Sequence, residues 1–247
     1  EAFQRIQEYR ANQSSVENKI CLAEELEGLG DLHYAIILSN AHEIVEEEYW
    51  EAFDIYQTIN EDDIHTFTML NLLGKLAKTF VSQNKMTDAG RMYGMLYNLV
   101  CEYIAEEEIE PLYEIDIAHL ITDYASFLEC NNEIDKSITI YENALSFCDR
   151  ISAHEQDAIE LLLPDSSLPA SVLPSKAIKC DILKTIAKIY ERTMQIEKAD
   201  AAYRKSIDFY LQEEKNNPGA YVVYVIHQLE DFADMLKVYK SYKDADS

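Results

Sequence analysis

Glycine and proline are scarce in this chain, with six and five copies among 247 residues. A β-sandwich or barrel needs turn residues about every 8–12 positions, so the scarcity argues against both folds. Three of the prolines, Pro164, Pro169 and Pro174, fall close together and predict one long loop over residues 163–175. The other breaks are short, and the composition predicts an all-α protein.

Basic residues are scarce as well: 21 Lys and Arg stand against 46 Asp and Glu, a formal net charge of -25. Phosphate contacts need a basic face, so this balance argues against direct binding of nucleic acid. The acidic excess falls along the chain, from 16 acidic and 3 basic residues in 1–63 to 16 and 12 in 151–247. We expect the N-terminal part to be the most acidic.

Long apolar runs and a basic-then-apolar leader are both missing. No run approaches the roughly 18 residues that a membrane span needs, so the sequence predicts no membrane insertion. The five cysteines are widely spaced and form no CxxC pair, which is typical of free thiols buried as small hydrophobic residues in a reducing compartment. These features favour a cytoplasmic location.

The motifs of common enzymes are also missing, since no Gly-rich phosphate loop, HExxH or GxSxG occurs. The spacings Asp62-x-x-His65 and Asp116-x-x-His119 are those of helical di-metal sites, but the two do not occupy equivalent positions in the repeat described below. Asp62 and Asp63 are better explained as caps at a helix start. We therefore predict no catalytic residue, metal or cofactor, and a helical-bundle metalloenzyme stays open as a third class.

An alanine recurs along the chain in a constant context, flanked by large apolar residues one position before it and three after it. The five copies are Ala23, Ala77, Ala125, Ala187 and Ala233. Twelve positions later stands another small residue, in turn Ala35, Ala89, Ser137, Ala199 and Ala245. Near the midpoint come the predicted turns, at Gly30, Asn84, Asn132, Met194 and Lys240. Small residues let two helices approach closely, so each copy predicts a helical hairpin.

These aligned residues resemble the tetratricopeptide repeat, in which hairpins stack because one alone cannot bury its apolar face. The alanines are 54, 48, 62 and 46 residues apart, against about 34 in the family, so the repeats are longer than usual. The resemblance implies a right-handed α-solenoid forming a single domain over 1–247. Its repeats are predicted near 17–60, 66–110, 115–162, 176–216 and 220–247, the last of them truncated.

Both ends of the chain extend this register. Phe3, Ile6 and Tyr9 have helical spacing and suit the second helix of a preceding repeat or a cap. At the other end, Asp244-Ala245 would open the second helix of the fifth hairpin. We therefore expect the sequence to be a fragment of a longer protein.

The resemblance also implies where a partner binds, because ligand-facing side chains come from the first helix of each hairpin. In this register the candidate partner-binding residues are Asn71, Lys75, Lys78, Thr122, Ser126, Lys184, Lys188 and Arg192. The last three lie four residues apart and form one basic stripe. Asp123 stands where the family's carboxylate clamp has Asn, so binding of a peptide C-terminus is not implied. Alternatively, the three bases pair with acids such as Glu191 or with neighbouring helices.

Two acidic runs, Glu46–Glu48 and Glu106–Glu108, are predicted late in second helices, either as solvated faces or as attractants for a basic partner. The sequence thus predicts a non-catalytic scaffold that binds a protein or peptide with at least one basic segment. The alternative is a ligand-sensing or regulatory domain of a larger signalling or transcription-control protein. The sequence predicts no oligomeric state.

Overall fold

The computed structural model describes residues 2–12, 15–36, 42–59, 65–105, 111–162, 174–216 and 218–245. These residues form ten α-helices and no strand, which confirms the all-α prediction. The helices are α1 (Ala2–Ala11), α2 (Val16–Ile36), α3 (His42–Ile59), α4 (Thr66–Ser82), α5 (Met86–Ala105), α6 (Pro111–Cys130), α7 (Ile134–Leu162), α8 (Pro174–Arg192), α9 (Ile196–Asn216) and α10 (Val222–Ala245).

The chain divides into two compact units, residues 1–113 and residues 114–247. In the first unit α1 packs on α2, α2 on α3, α3 on α4 and α4 on α5. In the second unit α7 packs on α8, α8 on α9 and α9 on α10. Within each unit these helices therefore pack on the next one along the chain, as stacked hairpins require. The single domain predicted over 1–247 and the limits of its repeats stay a prediction.

Three hairpins are closed by the same turn, centred on Asn84, Asn132 and Met194, whose φ angles are 62°, 63° and 58°. In each turn the amide N–H of the next residue donates to a carbonyl five positions back, over 2.9 Å. The donor and acceptor residues are Lys85 and Phe80, Glu133 and Leu128, and Gln195 and Tyr190. This is the Schellman pattern that ends a helix, and it confirms three of the five predicted turns.

The other two predicted turns are wrong, because α2 continues through Gly30 to Ile36 and α10 continues through Lys240 to Ala245. Gly30 serves helix packing instead, since a Cβ there would lie 2.6 Å from Cε1 of Tyr49 on α3. Lys240 is compatible with a helix interior, and nothing in its side chain favours a turn. Ala35 and Ala245 consequently lie at the ends of first helices and do not begin second ones.

The repeated alanines confirm close helix contacts in four of the five copies. Ala23, Ala77, Ala125 and Ala187 have no exposed surface, whereas Ala233 is exposed. In the third hairpin the Ser137 hydroxyl donates to the Ala125 carbonyl over 2.8 Å, which joins α6 directly to α7. A small residue on each helix lets the backbones approach this closely.

Several local predictions need correction. Pro174 and Ser175, predicted as loop, are the first residues of α8, where proline is favoured because its missing N–H would have no helical partner. Residues 163–173, Asp62-Asp63 and Glu106–Glu108 lie outside the described residues. Glu46–Glu48 lie early in α3 and not late in a helix, because α2 is longer than predicted. Cys148 and Cys180 are buried as expected, but Cys101 and Cys130 are exposed.

Candidate functional site

Two adjoining cavities lie along the first helices of the second unit. A cavity of about 220 Å³ is lined by α6, α7 and α8, and another of about 460 Å³ by the end of α6, by α8 and by α10. Thr185 lines both cavities, so they form one depression, which we call the unit 2 groove. Its polar walls are formed by His119, Thr122, Asp123, Ser126, Glu129, Asp181, Thr185, Lys188, Glu191, Arg192, Asp231 and Asp234.

Four of the eight candidate residues line this groove, namely Thr122, Ser126, Lys188 and Arg192. Lys184 lies beside it, with its Nζ 3.6 Å from Oδ2 of Asp231, a groove residue. The register of the repeat brings these residues together although they are distant in sequence. The other candidates, Asn71, Lys75 and Lys78, lie on α4 in the first unit.

The three bases of the predicted stripe all have carboxylate partners on neighbouring helices. The Lys188 Nζ lies 3.1 Å from Oδ2 of Asp231, which Lys184 also approaches, and the Arg192 guanidinium contacts the Glu129 carboxylate. Glu191 instead accepts a 2.7 Å hydrogen bond from the Tyr203 hydroxyl. The structure therefore favours the alternative in which the bases pair with neighbouring helices, although Glu191 is not their partner.

Carboxylates outnumber cations in the unit 2 groove. Six acidic side chains line it, against Lys188 and Arg192, and adding Lys184 still leaves an acidic excess. The acids are Asp123, Glu129, Asp181, Glu191, Asp231 and Asp234. A depression with walls of one prevailing charge concentrates the field of that charge, so the groove attracts positive groups.

Tyr141 on α7 is a groove residue that the sequence analysis did not predict. It stands four residues after the small Ser137, as Tyr93 and Tyr203 stand four residues after Ala89 and Ala199, so the repeat register contained the signal that could have identified it. Burial raises the pKa of Tyr141 to about 12, and a side-chain hydrogen bond with Ser126 opposes that shift. The hydroxyl is therefore protonated at neutral pH.

In the first unit the candidate Lys75 is held between two carboxylates of α2. Its Nζ lies 2.7 Å from Oε1 of Glu27 and 2.8 Å from Oδ2 of Asp31, above the ring of Tyr49. Burial opposes the charge of Lys75, but its hydrogen bonds to both carboxylates raise its pKa above the usual value. Asn71 is half-buried and Lys78 exposed on the same helix. Lys75 thus joins the first helices of two successive hairpins.

A larger cavity, of about 810 Å³, lies along α3 in the first unit, and we call it the α3 cavity. Trp50, the only tryptophan in the chain, lines it together with five carboxylates. These belong to Glu43, Glu46, Glu47, Glu51 and Asp54. Lys85 at its edge lies 2.8 Å from Glu46. This cavity was not predicted from the sequence, because the acidic run was expected at the end of a helix.

Two chemical features limit what the described residues can do. They contain no group of three or more His, Cys, Asp and Glu side chains arranged to hold a metal ion. None of the described helices combines the length and the apolar character that crossing a membrane requires.

Consecutive helices that pack in pairs, with alanines at their contacts and a recurring turn between them, define a tetratricopeptide-like repeat fold. Solved structures with this similarity include BtubC (BKLC) from P. vanneervenii, at 14% identity and a TM-score of 0.60, covering 99% of this chain and 84% of that one. The TPR-like repeats of a candidate kinesin light chain from Podospora anserina match at 10% identity and a TM-score of 0.55, covering 91% of each chain.

A third similar structure is aspartyl phosphate phosphatase F from Bacillus subtilis, at 15% identity and a TM-score of 0.51, covering 98% of this chain and 58% of that one. No protein-family model matches the sequence, and no curated protein sequence matches it. Identities this low support the fold alone.

Proposed function

We propose that this chain is a non-catalytic binding module whose unit 2 groove takes a basic segment of a protein or peptide. The observation that carries the proposal is the pair of adjoining cavities on α6, α8 and α10, where carboxylates are in the majority. Concave sites of this size that combine apolar surface with a few converging polar groups are typical ligand sites. Ile178 and Ile182 supply apolar surface in the smaller cavity.

The internal ion pairs of the groove leave room for such a ligand. Lys184, Lys188 and Asp231 keep 37%, 43% and 30% of their side-chain surface exposed. Ion pairs this accessible to solvent contribute about 0–1 kcal/mol each, so a competing cation can replace a lysine at little cost. A basic side chain of the ligand would then pair with Asp231, while the displaced lysines extend into solvent.

The fold supports binding as the general role, because stacked hairpins form extended surfaces and leave their first-helix side chains available. The alternative, a ligand-sensing or regulatory domain of a larger signalling or transcription-control protein, is compatible with the same fold. The cytoplasmic location stays a prediction.

The proposal is tested with a phage library of random peptides selected on the immobilised protein. We expect the recovered peptides to be enriched in Lys and Arg. Their binding is then measured by fluorescence anisotropy against Thr185→Trp, a variant that fills the junction of the two cavities. Thr185 is half-buried and its hydroxyl donates only within α8, to the Asp181 carbonyl over 2.8 Å. The expected result is loss of binding with retained helicity by circular dichroism.

The matched control is Thr58→Trp, which adds the same side chain to the α3 cavity of the first unit. We expect this variant to bind the selected peptides as the wild type does. Recovery of acidic or neutral peptides would contradict the proposal, and so would a loss of binding with Thr58→Trp alone.

A charge variant distinguishes the groove from the general acidity of the chain. Asp231→Asn removes one carboxylate and releases two lysines, so affinity for a basic peptide should fall several-fold. Asp54→Asn makes the same change in net charge at the α3 cavity and should leave affinity unchanged. Equal losses with both variants would show that net charge, and not the groove, binds the peptide.

A further inference from the structure

One side of α10 exposes an apolar stripe. The residues are Val222, Ile226, Leu229, Ala233 and Leu236, spaced alternately by four and three positions, so they follow one side of the helix. The four large members are 43%, 48%, 47% and 40% exposed in that order. We call these five residues the α10 stripe. Contiguous apolar surface on this scale marks a contact site more often than scattered exposed residues do.

The same register is buried in α4 and α6. In α10, Ile226 and Leu229 stand seven and four positions before Ala233, and Leu236 stands three positions after it. Their counterparts in α4 are Leu70, Leu73 and Phe80, at 0%, 1% and 7% exposed. Those in α6 are Ala118, Ile121 and Leu128, at 0%, 2% and 3% exposed. The stripe therefore lies on the face that is covered by other helices in α4 and α6.

The other side of α10 is already occupied. Met235 is buried in a cluster with Ala187, Ala199 and Tyr203, and Phe232 packs against the same cluster. A helix that covers the stripe must therefore approach from the opposite flank. By analogy with α5 and α9, it must present a small residue opposite Ala233, as Ala89 and Ala199 do in their hairpins.

The stripe meets that requirement itself. If two copies of α10 pack antiparallel about a two-fold axis near Ala233, each alanine lies opposite the other. Leu229 of one copy then lies beside Leu236 of the second, and Ile226 lies beside the aliphatic stem of Lys240, the next position in the spacing of the stripe. Large residues flank a small central contact on both helices, as in the hairpins. Such a self-complementary face is what a two-fold symmetric interface needs.

The charges beside the stripe fit the same arrangement. Glu230 and Lys237 are two helical turns apart on one flank of the stripe. Antiparallel packing about Ala233 places Glu230 of each copy near Lys237 of the other, because both residues lie on the same flank. Lys237 now lies 2.8 Å from Asp234, and both side chains are about three-quarters exposed, so this pair is weak and easily exchanged.

We propose that a second copy of this chain binds to the α10 stripe, forming a two-fold symmetric dimer through antiparallel α10 helices. The inference does not depend on the unit 2 groove, because a dimer can form whether or not the groove binds a peptide.

The test is the molar mass in solution, measured by light scattering over a wide range of protein concentration. The wild type should move from 28.5 kDa towards twice that mass as the concentration rises. The double variant Leu229→Lys, Leu236→Lys should stay at the monomer mass with its helicity intact. Leu211→Lys is the matched control, since Leu211 is 43% exposed on α9, outside the stripe, and it should dimerise as the wild type does.

A charge exchange tests the antiparallel geometry. Glu230→Lys or Lys237→Glu alone places like charges together twice in each dimer and should raise the dissociation constant several-fold. The double variant Glu230→Lys, Lys237→Glu should restore it. A monomer at every concentration overturns the proposal, including the case in which the stripe binds a helix of another protein. A dimer that is unaffected by the leucine variants overturns it as well. So does a double charge variant in which the wild-type dissociation constant is not restored.

Discussion

The three Schellman turns have the same backbone conformation, but the residue at positive φ is not the same in all three. Asn84 and Asn132 suit a positive φ because asparagine tolerates the left-handed region, whereas Met194 at 58° does not share that tolerance. A left-handed conformation costs an ordinary residue roughly 1–2 kcal/mol. The Met194 side chain is 58% exposed, so it recovers little of that cost by packing.

We therefore predict that Met194→Asn stabilises the protein, raising its free energy of unfolding by about 0.5–1 kcal/mol in urea denaturation, since part of the strain is removed. Met194→Val should lower the stability, because a β-branched residue is a marked outlier at positive φ. Equal stabilities of the two variants would mean that the turn is not strained at Met194.

At the residue scale, sequence periodicity predicted these turns well. Asn84 and Asn132 are turn residues in their own right, and Met194 was identified only because it stands at the same place in the repeat. Gly30 was misinterpreted for a definite reason, since glycine is used both to end helices and to let helices approach closely. Only the position of Tyr49, on another helix, distinguishes the two uses.

At the scale of helices, the α2–α3 contact depends on Gly30. The Tyr49 ring is 2% exposed above this glycine, and its hydroxyl donates a 2.7 Å hydrogen bond to Asp31. Lys75 on α4 reaches the same carboxylate, so the ring lies within a contact of three helices. A methyl group on Gly30 must displace a ring that is held in place from several sides.

Gly30→Ala should lower the free energy of unfolding by about 1–3 kcal/mol, the usual cost of overpacking, despite the higher helix propensity of alanine. Gly28→Ala is the matched control, because Gly28 lies in the same helix and a Cβ there meets nothing within 4 Å. That variant should stabilise the protein by about 0.5–1 kcal/mol. Thermal and urea denaturation of both variants measure the difference, and similar effects at the two sites would contradict the close contact.

The helical contacts that the repeat register predicted are the ones built from small residues, and four alanines are buried accordingly. Helix lengths were predicted less well, because they depend on turns that leave no single signature in the sequence. The sequence context of Ala233 equals that of the buried alanines, so the register alone does not distinguish the exposed alanine from the buried ones. What differs is the helix packed against it, which the sequence of one hairpin does not specify.

At the scale of the whole chain, the net charge of -25 and its gradient anticipated an acidic molecule but not how its few bases are used. The predicted stripe of Lys184, Lys188 and Arg192 exists on α8, yet its charge is balanced by Asp231 and Glu129 from neighbouring helices. Such pairs form between residues far apart in sequence, so only the folded chain reveals them. The groove is therefore acidic where the sequence alone suggested a basic surface.

The central claim is that the unit 2 groove binds a basic segment, and photo-crosslinking tests it most directly. A library-selected peptide carrying a photoreactive group is irradiated with the protein, and mass spectrometry identifies the attached residues. The account predicts attachment within residues 119–129, 181–192 and 231–234 on α6, α8 and α10. Attachment around Trp50 in the α3 cavity, or scattered over both units, would contradict it.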